Sequence, residues 1–250
     1  MSKVDFIFLH GFLGIPTDWA EVVVNVKLDV QGTGSEAEIH VPDYFNRPNL
    51  GPKNTFDSLA MEFVKWIEAN TKNEKKFLVG YSLGGRLALH IFEKNPKLFE
   101  RLICISTHPG FKSSQDVERK EREVSDQFWA DSFLHDDWAS VVKKWNKQPV
   151  FAGGAIEPER DGSLFRRDLL AKALTNWSLS KQTDKRPLLK KYSQKISWVV
   201  GGNDRKLIDI WQLMKQDGID IPLEIITAAG HRIHFDNALP LATYISSYAK

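Results

Sequence analysis

The residues best suited to chemistry lie in the run Gly80-Tyr81-Ser82-Leu83-Gly84-Gly85, which contains the pattern G-x-S-x-G. An apolar segment typical of a buried strand, residues 76–79, precedes this run, and a helical pattern, residues 86–92, follows it. A serine at such a strand-to-helix turn sits on a strained backbone beside the free N–H groups of the helix. The pattern therefore predicts that Ser82 is a nucleophile or a base.

A serine hydroxyl reacts only when a histidine takes its proton, and that histidine needs a carboxylate to orient it. In proteins with this serine turn, the chain order is serine, acid, histidine. Asp204 follows a predicted strand in the turn Gly-Gly-Asn-Asp, and His231 follows the next predicted strand after Ala-Ala-Gly. Because ligands bind at the carboxyl ends of parallel strands, we expect Ser82, Asp204 and His231 to meet at one edge of a sheet.

Other assignments remain open at this point. Asp204 could serve only as a turn former or helix cap, with Asp209 as a weaker substitute further from the strand end. His234 lies three residues after His231 and is the alternative base.

An early strand ends at Leu9-His10-Gly11-Phe12. In proteins with the serine turn, an N–H after this strand and the N–H after the serine form an oxyanion hole. The corresponding groups here are the amides of Phe12 and Leu83. The alternative is that Gly11 simply makes a turn.

Strand patterns alternate with helical ones along most of the chain, which predicts an α/β fold with a mostly parallel sheet and helices on both faces. The clearest strands are residues 4–9, 77–79, 101–106, 196–200 and 223–226, and the clearest helices outside the middle are 57–70 and 86–93. A second strand near residues 36–41 has a poor pattern.

The middle of the chain differs, because residues 108–177 contain no convincing strand and are rich in charge and tryptophan. Helices are predicted at residues 117–129, 137–145 and 164–175. A stretch of this length exceeds a normal crossover, so we expect a helical cap at 108–177 inserted into a core of 1–107 and 178–250. The alternative is that these helices belong to the core layer.

Bulk composition limits the functional class. The chain has 250 residues and a net charge of +2, which does not suggest binding to nucleic acid or a membrane surface. Its single cysteine, Cys104, cannot form an internal disulfide, and the histidines lack zinc-ligand spacing. The N-terminus has no signal segment and no run is long enough to span a bilayer. We therefore expect a cytoplasmic protein. Independently of the composition, we expect no metal or organic cofactor and a monomer or small homo-oligomer.

Together, the serine turn, the His-Gly-Phe turn, Asp204 and His231 resemble the α/β-hydrolase superfamily over nearly the whole chain. The cap resembles a narrower family, the 2-succinyl-6-hydroxy-2,4-cyclohexadiene-1-carboxylate synthases of menaquinone biosynthesis. The stretches that carry this likeness are residues 80–86, 108–111, 118–122, 125–129 with Phe133, 145–152 and 201–206.

The resemblance implies a lyase that eliminates pyruvate from an enolpyruvyl cyclohexene tricarboxylate, using Ser82, His231 and Asp204. Such a small anionic substrate calls for arginines, whose planar guanidinium binds carboxylates through two parallel hydrogen bonds. The implied substrate-binding residues are Tyr81, Arg86, Arg122, Trp145 and either Arg166 or Arg167. The alternative to substrate binding is that each arginine lies on a solvated helix face and that Trp145 only anchors the cap.

Two other functions use the same fold: a carboxylesterase or other C–O or C–C hydrolase on the same triad, and a non-catalytic binding protein. An intact set of serine, acid and histidine argues against a non-catalytic binding protein.

The sequence departs from related hydrolases in one segment, since they commonly carry Leu-Pro-Gly-His-Gly-x-Ser after the second strand. Residues 40–48 contain no such glycine-histidine turn, which implies different contacts at this border of the site.

Overall fold

A parallel sheet runs through the centre of the molecule. The computed structural model describes residues 2–45, 55–154 and 160–249, and these residues contain six strands. The strands are β1 (Lys3–Leu9), β2 (Glu36–His40), β3 (Lys75–Tyr81), β4 (Arg101–Ile105), β5 (Ile196–Gly201) and β6 (Leu223–Ile226). Their spatial order is β2-β1-β3-β4-β5-β6, and every neighbouring pair is parallel.

The register of the central strands brings their carboxyl ends together. Leu9 of β1 pairs with Gly80 of β3, and Tyr81 pairs with Ile105 at the end of β4. Gly201 of β5 pairs with Ile226 of β6. The loops that follow these strands therefore meet at one edge, which is where the sequence placed the candidate catalytic residues.

Helices cover both faces of the sheet. Within the described ranges they are α1 (Ala20–Gln31), α2 (Phe56–Asn70), α3 (Leu83–Lys94), α4 (Asp116–His135), α5 (Trp138–Asn146), α6 (Arg167–Asn176), α7 (Arg186–Lys191), α8 (Arg205–Gln216), α9 (Ile233–Asp236) and α10 (Ala238–Ser247). Apolar side chains of α1 and α10 form the core on one face, and those of α2, α3 and α8 form it on the other. This arrangement confirms the predicted α/β class. No helix in the described part of the chain is long and apolar enough to cross a membrane.

The edge strand β2 forms despite its weak sequence pattern. Its side chains are half-buried or exposed, and it pairs with β1 from Lys3 opposite Glu36 onward. An edge strand buries little of its surface, so it needs only a weak apolar signal. Backbone pairing to β1 is therefore enough to place a segment that sequence reasoning read poorly.

The helices of the middle region differ in extent from the prediction. α4 continues to His135, six residues beyond its predicted end, and stops where Asp136 is extended. α6 begins at Arg167 rather than residue 164, because Gly162–Leu164 form a separate 3-10 turn. α4, α5 and α6 lie between β4 and β5 in the chain. The division into a core and a cap at residues 108 and 177 stays a prediction.

An aromatic cluster joins α4, α5 and the segment before α6 to the core. Trp145 of α5 packs on Trp129 of α4 at 5.1 Å between ring centroids and on Phe12, which follows β1, at 4.7 Å. Phe133 of α4 contacts Phe12 at 5.2 Å, and Trp138 stacks on Phe165. Large aromatic contacts of this kind stabilise packing between elements. They seat the middle helices over the carboxyl ends of the strands.

Gly84 is the point where α3 approaches the end of β1. A Cβ atom at this position would overlap the carbonyl oxygens of Leu9 and His10, which are backbone atoms with little freedom to move. We therefore expect Gly84→Ala to lower the free energy of unfolding by about 2–3 kcal/mol, as overpacking commonly does. Urea denaturation followed by circular dichroism would measure the loss.

Gly32 provides the matched control for this prediction. It has a helical φ of −58°, and a Cβ atom there would meet nothing closer than 3.4 Å. We expect Gly32→Ala to leave the urea midpoint nearly unchanged. Equal losses in both variants would show that steric overlap at Gly84 is not the cause.

Candidate active site

Ser82 occupies a strained turn between β3 and α3. Its backbone has φ 51° and ψ −112°, a conformation that a non-glycine residue adopts only when its surroundings impose it. The Ser82 amide donates to the carbonyl of Ile105 at 2.9 Å, and the Ser82 carbonyl accepts from the Arg86 amide at 3.0 Å. These bonds hold the serine at the N-terminus of α3, with its side chain at the carboxyl edge of the sheet.

The structure brings Ser82, His231 and Asp204 into one hydrogen-bonded chain. Ser82 Oγ lies 3.1 Å from His231 Nε2, and His231 Nδ1 lies 2.7 Å from Asp204 Oδ2. Because a carboxylate only accepts hydrogen bonds, Nδ1 carries the proton and Nε2 is free to accept one from Ser82. The other Asp204 oxygen accepts from the Leu207 amide at 3.3 Å, which caps α8. This arrangement can remove a proton from the serine hydroxyl.

The alternative acid and base lie elsewhere. His234 is buried between the rings of Tyr81 and Trp19, at 4.3 and 5.2 Å between centroids. Burial, and to a lesser degree nearby positive charges, lower the pKa of His234 to about 3. Asp209 is exposed on α8. The geometry thus favours Asp204 and His231 over these two residues.

The predicted oxyanion hole consists of the amides of Phe12 and Leu83. Both residues line the same cavity as Ser82. Within the described residues, no hydrogen bond engages either amide. The strand end before Phe12 is held by Tyr44, whose hydroxyl donates to the His10 carbonyl and whose ring stacks on His10 at 4.2 Å. An oxyanion hole at Phe12 and Leu83 stays a prediction, with both donors available for it.

A cavity of about 550 Å³ opens beside Ser82, between the strand ends and the middle helices. Its charged and aromatic walls include Arg86, Arg122, His108, Lys206, Trp145 and Phe151. A cavity of this size accommodates a small organic molecule. The excess of cationic side chains favours an anionic one.

Arg86 lies one turn into α3 and faces this cavity. Its exposed fraction is 8%, and its Nη1 donates to the Trp177 carbonyl at 2.8 Å. Burial lowers the pKa of Arg86 to about 9, and the nearby charge of Arg122 adds to this effect. Among the described residues, no carboxylate forms a salt bridge with Arg86. A buried cation in this state favours an anionic ligand.

Arg122 reaches the same cavity from α4. Its Nε donates to Asp126 Oδ2 at 2.8 Å, four residues further along the helix. Asp126 is almost fully buried, so it fixes the guanidinium from one side. Arg122 therefore lines the same cavity as Ser82, with its guanidinium oriented by a carboxylate, and its role in binding a substrate carboxylate stays a prediction.

The expected third arginine is not in the cavity. The Arg166 side chain is 62% exposed and pairs with Asp168 at 3.0 Å. Arg167 donates instead to the backbone carbonyls of Phe133 and Asp136, joining α6 to the end of α4. Neither arginine lines the cavity. The structure thus does not support the expectation that Arg166 or Arg167 supplies a carboxylate-binding side chain.

Trp145 and Tyr81 both lie close to the serine, and they share a small cavity with it. Trp145 is both an anchor of the aromatic cluster and a wall of the cavity, so its two predicted roles are compatible. Tyr81 is buried between His231 and His234 and lines a smaller cavity of about 40 Å³ that also touches Ser82. Direct contact of Tyr81 with a ligand would have to occur in this smaller space.

Sequence reasoning missed Arg232, which directly follows His231. Its Nη2 donates to Asn146 Oδ1 at 2.6 Å, and its guanidinium lies 3.7 Å above the ring of Phe151. Phe151 in turn contacts the His231 ring at 5.8 Å. The only sequence signal was a basic residue next to the candidate base. Both partners of Arg232 are more than 80 residues away in the chain, so only the fold reveals them.

The loop that lacks the glycine-histidine turn is described in part. Tyr44 and Phe45 are buried and pack against His10 and Trp177. Residues 46–48 of the same segment lie outside the described residues.

Comparison with known proteins places this geometry in context. The chain matches the alpha/beta hydrolase fold family over residues 6–238. It is similar to a 2-succinyl-6-hydroxy-2,4-cyclohexadiene-1-carboxylate synthase of Klebsiella pneumoniae, with 33% identity over 92% of this chain and 88% of the relative. A relative in Haemophilus influenzae, named a putative synthase of the same kind, is 30% identical over 94% of this chain and 93% of its own.

Solved structures share the fold. MenH from S. aureus superposes with a TM-score of 0.80 and 22% identity, covering 99% of this chain and 94% of its own. A thermophilic esterase from Thermogutta terrifontis superposes with a TM-score of 0.71 and 14% identity, covering 99% and 89%.

Proposed function

Because the chain belongs to the α/β-hydrolase family and is related to enzymes that make a cyclohexadiene carboxylate, we propose that it is a pyruvate-eliminating lyase of menaquinone biosynthesis. Its substrate is an enolpyruvyl cyclohexene that carries three carboxylates. Ser82, His231 and Asp204 are the catalytic residues. The reaction requires no metal or organic cofactor.

The observation that carries this proposal is the pair of arginines that face the cavity beside the serine. Arg86 is buried without a carboxylate partner among the described residues, and Arg122 is held by Asp126 with its remaining nitrogens available. With a neutral ester bound, the Arg86 charge would be stabilised only by the Trp177 carbonyl and by Asp126, a carboxylate that does not form a salt bridge with it, which is costly in a buried site. A substrate with carboxylates compensates it.

The chemistry begins with proton removal. His231 takes the proton of Ser82, and the serine oxygen removes a proton from a ring carbon of the substrate. The electron pair of that C–H bond forms a new ring double bond, and the C–O bond to the enolpyruvyl group breaks. The proton held by His231 is given up to the leaving enolpyruvate, which restores the starting state of the three residues. With this proton on its methylene carbon, enolpyruvate becomes pyruvate. The ring is left as a conjugated diene.

Negative charge spreads onto a substrate oxygen during this deprotonation. The amides of Phe12 and Leu83 receive that charge in our proposal. Preorganised backbone donors of this kind typically contribute about 3 kcal/mol each to the transition state. Phe12 and Leu83 line the same cavity as Ser82, and neither amide is engaged by another group among the described residues, which supports the assignment.

The direct test is release of pyruvate from the enolpyruvyl tricarboxylate by the purified protein, followed by a coupled loss of NADH absorbance. We expect rapid release, together with absorbance from the diene product. Absence of both would refute the lyase assignment.

A carboxylesterase is the second candidate, because the same triad and fold occur in esterases such as the one from Thermogutta terrifontis. Hydrolysis of p-nitrophenyl acetate, without any pyruvate release from the tricarboxylate, would favour this alternative. Both activities together would mean that the lyase keeps a residual esterase reaction.

We expect Arg122→Ala to raise the KM for the tricarboxylate by about ten- to a hundredfold, the effect of losing a charge-assisted hydrogen bond. Hydrolysis of p-nitrophenyl acetate should stay nearly unchanged, since this ester carries no carboxylate. Steady-state kinetics on both substrates would check this. Equal losses on both substrates would mean that Arg122 acts only through the structure.

Two further variants sharpen this test. Arg122→Ala leaves the Asp126 carboxylate buried near the cavity, where it would repel an anion, and Arg122→Ala/Asp126→Asn removes that repulsion. A KM that stays high in the double variant assigns the loss to the missing guanidinium. Arg166→Ala, which removes an exposed arginine outside the cavity, should behave like the parent protein.

A further inference from the structure

His108 lies just beyond the end of β4 and lines the cavity, although the proposed reaction assigns it no role. Its Nδ1 accepts a hydrogen bond from the Gly110 amide at 3.0 Å, and its carbonyl accepts from Gln182 Nε2 at 3.1 Å. Gly110 has a φ of 100°, and a Cβ atom there would press on the Thr183 carbonyl at 2.6 Å. The histidine is therefore held in one orientation by a tight turn.

These contacts determine where the ring carries its proton. Because Nδ1 accepts from a backbone N–H, the neutral ring must hold its hydrogen on Nε2. Burial, followed by the charges of Arg86, Lys206, Arg186 and Arg122, lowers the pKa of His108 to about 3. The ring therefore stays neutral at physiological pH, with Nε2 as a donor. Among the described residues, Nε2 has no hydrogen-bond partner.

We propose that His108 is a substrate-binding residue that donates a hydrogen bond from Nε2 to a carboxylate oxygen of the ligand. It shares the cavity with Arg86, Arg122 and Lys206, which supply the positive charge. A neutral donor adds direction without adding a further cation to an already positive wall. This inference rests on the proposed function only in requiring that the ligand carries a carboxylate.

The competing explanation is that His108 only shapes the Pro109–Gly110 turn. Two substitutions separate the two roles. In His108→Asn, the amide oxygen takes the place of Nδ1 and keeps the hydrogen bond from Gly110, as asparagine does in turns. In His108→Gln, the amide nitrogen reaches the position of Nε2 and keeps the donor.

Binding of benzene-1,2,4-tricarboxylate, measured by isothermal titration calorimetry, provides the readout without any turnover. We expect His108→Asn to raise the Kd about ten- to a hundredfold, the usual effect of losing a hydrogen bond to a charged group. His108→Gln should bind within about threefold of the parent protein, because glutamine keeps the donor. A threefold change in Kd corresponds to RT ln 3, which is less than the free energy of one such hydrogen bond. His135→Asn, an exposed histidine at the end of α4, is the control and should leave the Kd unchanged.

Three results would overturn the proposal: parent-like binding by His108→Asn, equal weakening in both His108 variants, or no binding of the tricarboxylate by the parent protein at millimolar concentration. Urea denaturation of each variant confirms that it is folded. If either variant fails to fold, nitrogen-15 NMR of the parent protein decides the question. The Nε2–H resonance of His108 should shift when the tricarboxylate is added, and an unchanged resonance would refute the assignment.

The calorimetric and NMR results do not depend on the lyase reaction. Loss of binding in His108→Asn together with absent pyruvate release would refute the proposed reaction and leave the role of His108 intact. Pyruvate release by the parent protein, together with parent-like binding by His108→Asn, would support the proposed reaction and refute the role of His108.

Discussion

Ser82→Ala is expected to reduce pyruvate release by at least about a thousandfold while the protein stays folded. The substitution removes the only group that connects His231 to the substrate in the proposed reaction. Alanine, like serine, has a Cβ atom, so the strain of the positive φ at this turn should stay nearly the same. KM should change little, because the arginines that bind the carboxylates are untouched. Coupled pyruvate assays and thermal melting of the variant would measure both effects.

Ser106 is the matched control. It also follows a strand of the sheet, has a φ of 46° and lines the same cavity, but lies outside the triad. Ser106→Ala should keep turnover within a few-fold of the parent protein. Retained turnover in Ser82→Ala would instead show that His231 removes the ring proton directly, and the serine would lose its role as base.

Asp204→Asn is expected to lower kcat by about 10³- to 10⁴-fold, as in other triads in which the acid is changed to its amide. The amide can donate to Nδ1, which moves the histidine proton to Nε2 and blocks acceptance of the Ser82 proton. Asparagine still accepts from the Leu207 amide, so the cap of α8 and the stability of the fold should persist. Steady-state kinetics with a parallel urea titration would test both halves of this prediction.

Asp209→Asn provides the comparison on the same helix, since this carboxylate is exposed and was the alternative acid in the sequence. It should leave kcat unchanged. A larger loss in Asp209→Asn than in Asp204→Asn would overturn the assignment of the acid.

The residues around the triad were predictable because each carries a local signal. Ser82, Asp204 and His231 each follow a recognisable strand, and parallel strands bring their carboxyl ends to one edge whatever the details of packing. The sequence could therefore locate this part of the site without knowing how the helices pack.

The walls of the cavity were less predictable, because they depend on how the middle helices rotate and end. Arg166 and Arg167 are adjacent in sequence, and neither faces the cavity, since α6 starts at Arg167 and directs these side chains toward solvent and toward α4. His108 belongs to the stretch 108–111 that resembles the narrower family, but nothing in that stretch predicted a role for its side chain. Its fixed ring follows from a turn and from charges contributed by distant segments.

The contact of Arg232 with Phe151 and Asn146 links access to the site with readiness for catalysis. Arg232 is the chain neighbour of the candidate base, and its two partners lie in the segment 145–152, most of which lines the cavity. If this segment moved away from the strand ends, Arg232 would lose its stacking on Phe151 and its hydrogen bond to Asn146. The backbone next to His231 would then be less firmly held. We therefore expect His231 to be misaligned with Ser82 while the site is open. Water that enters with the substrate would then not be activated before the site closes.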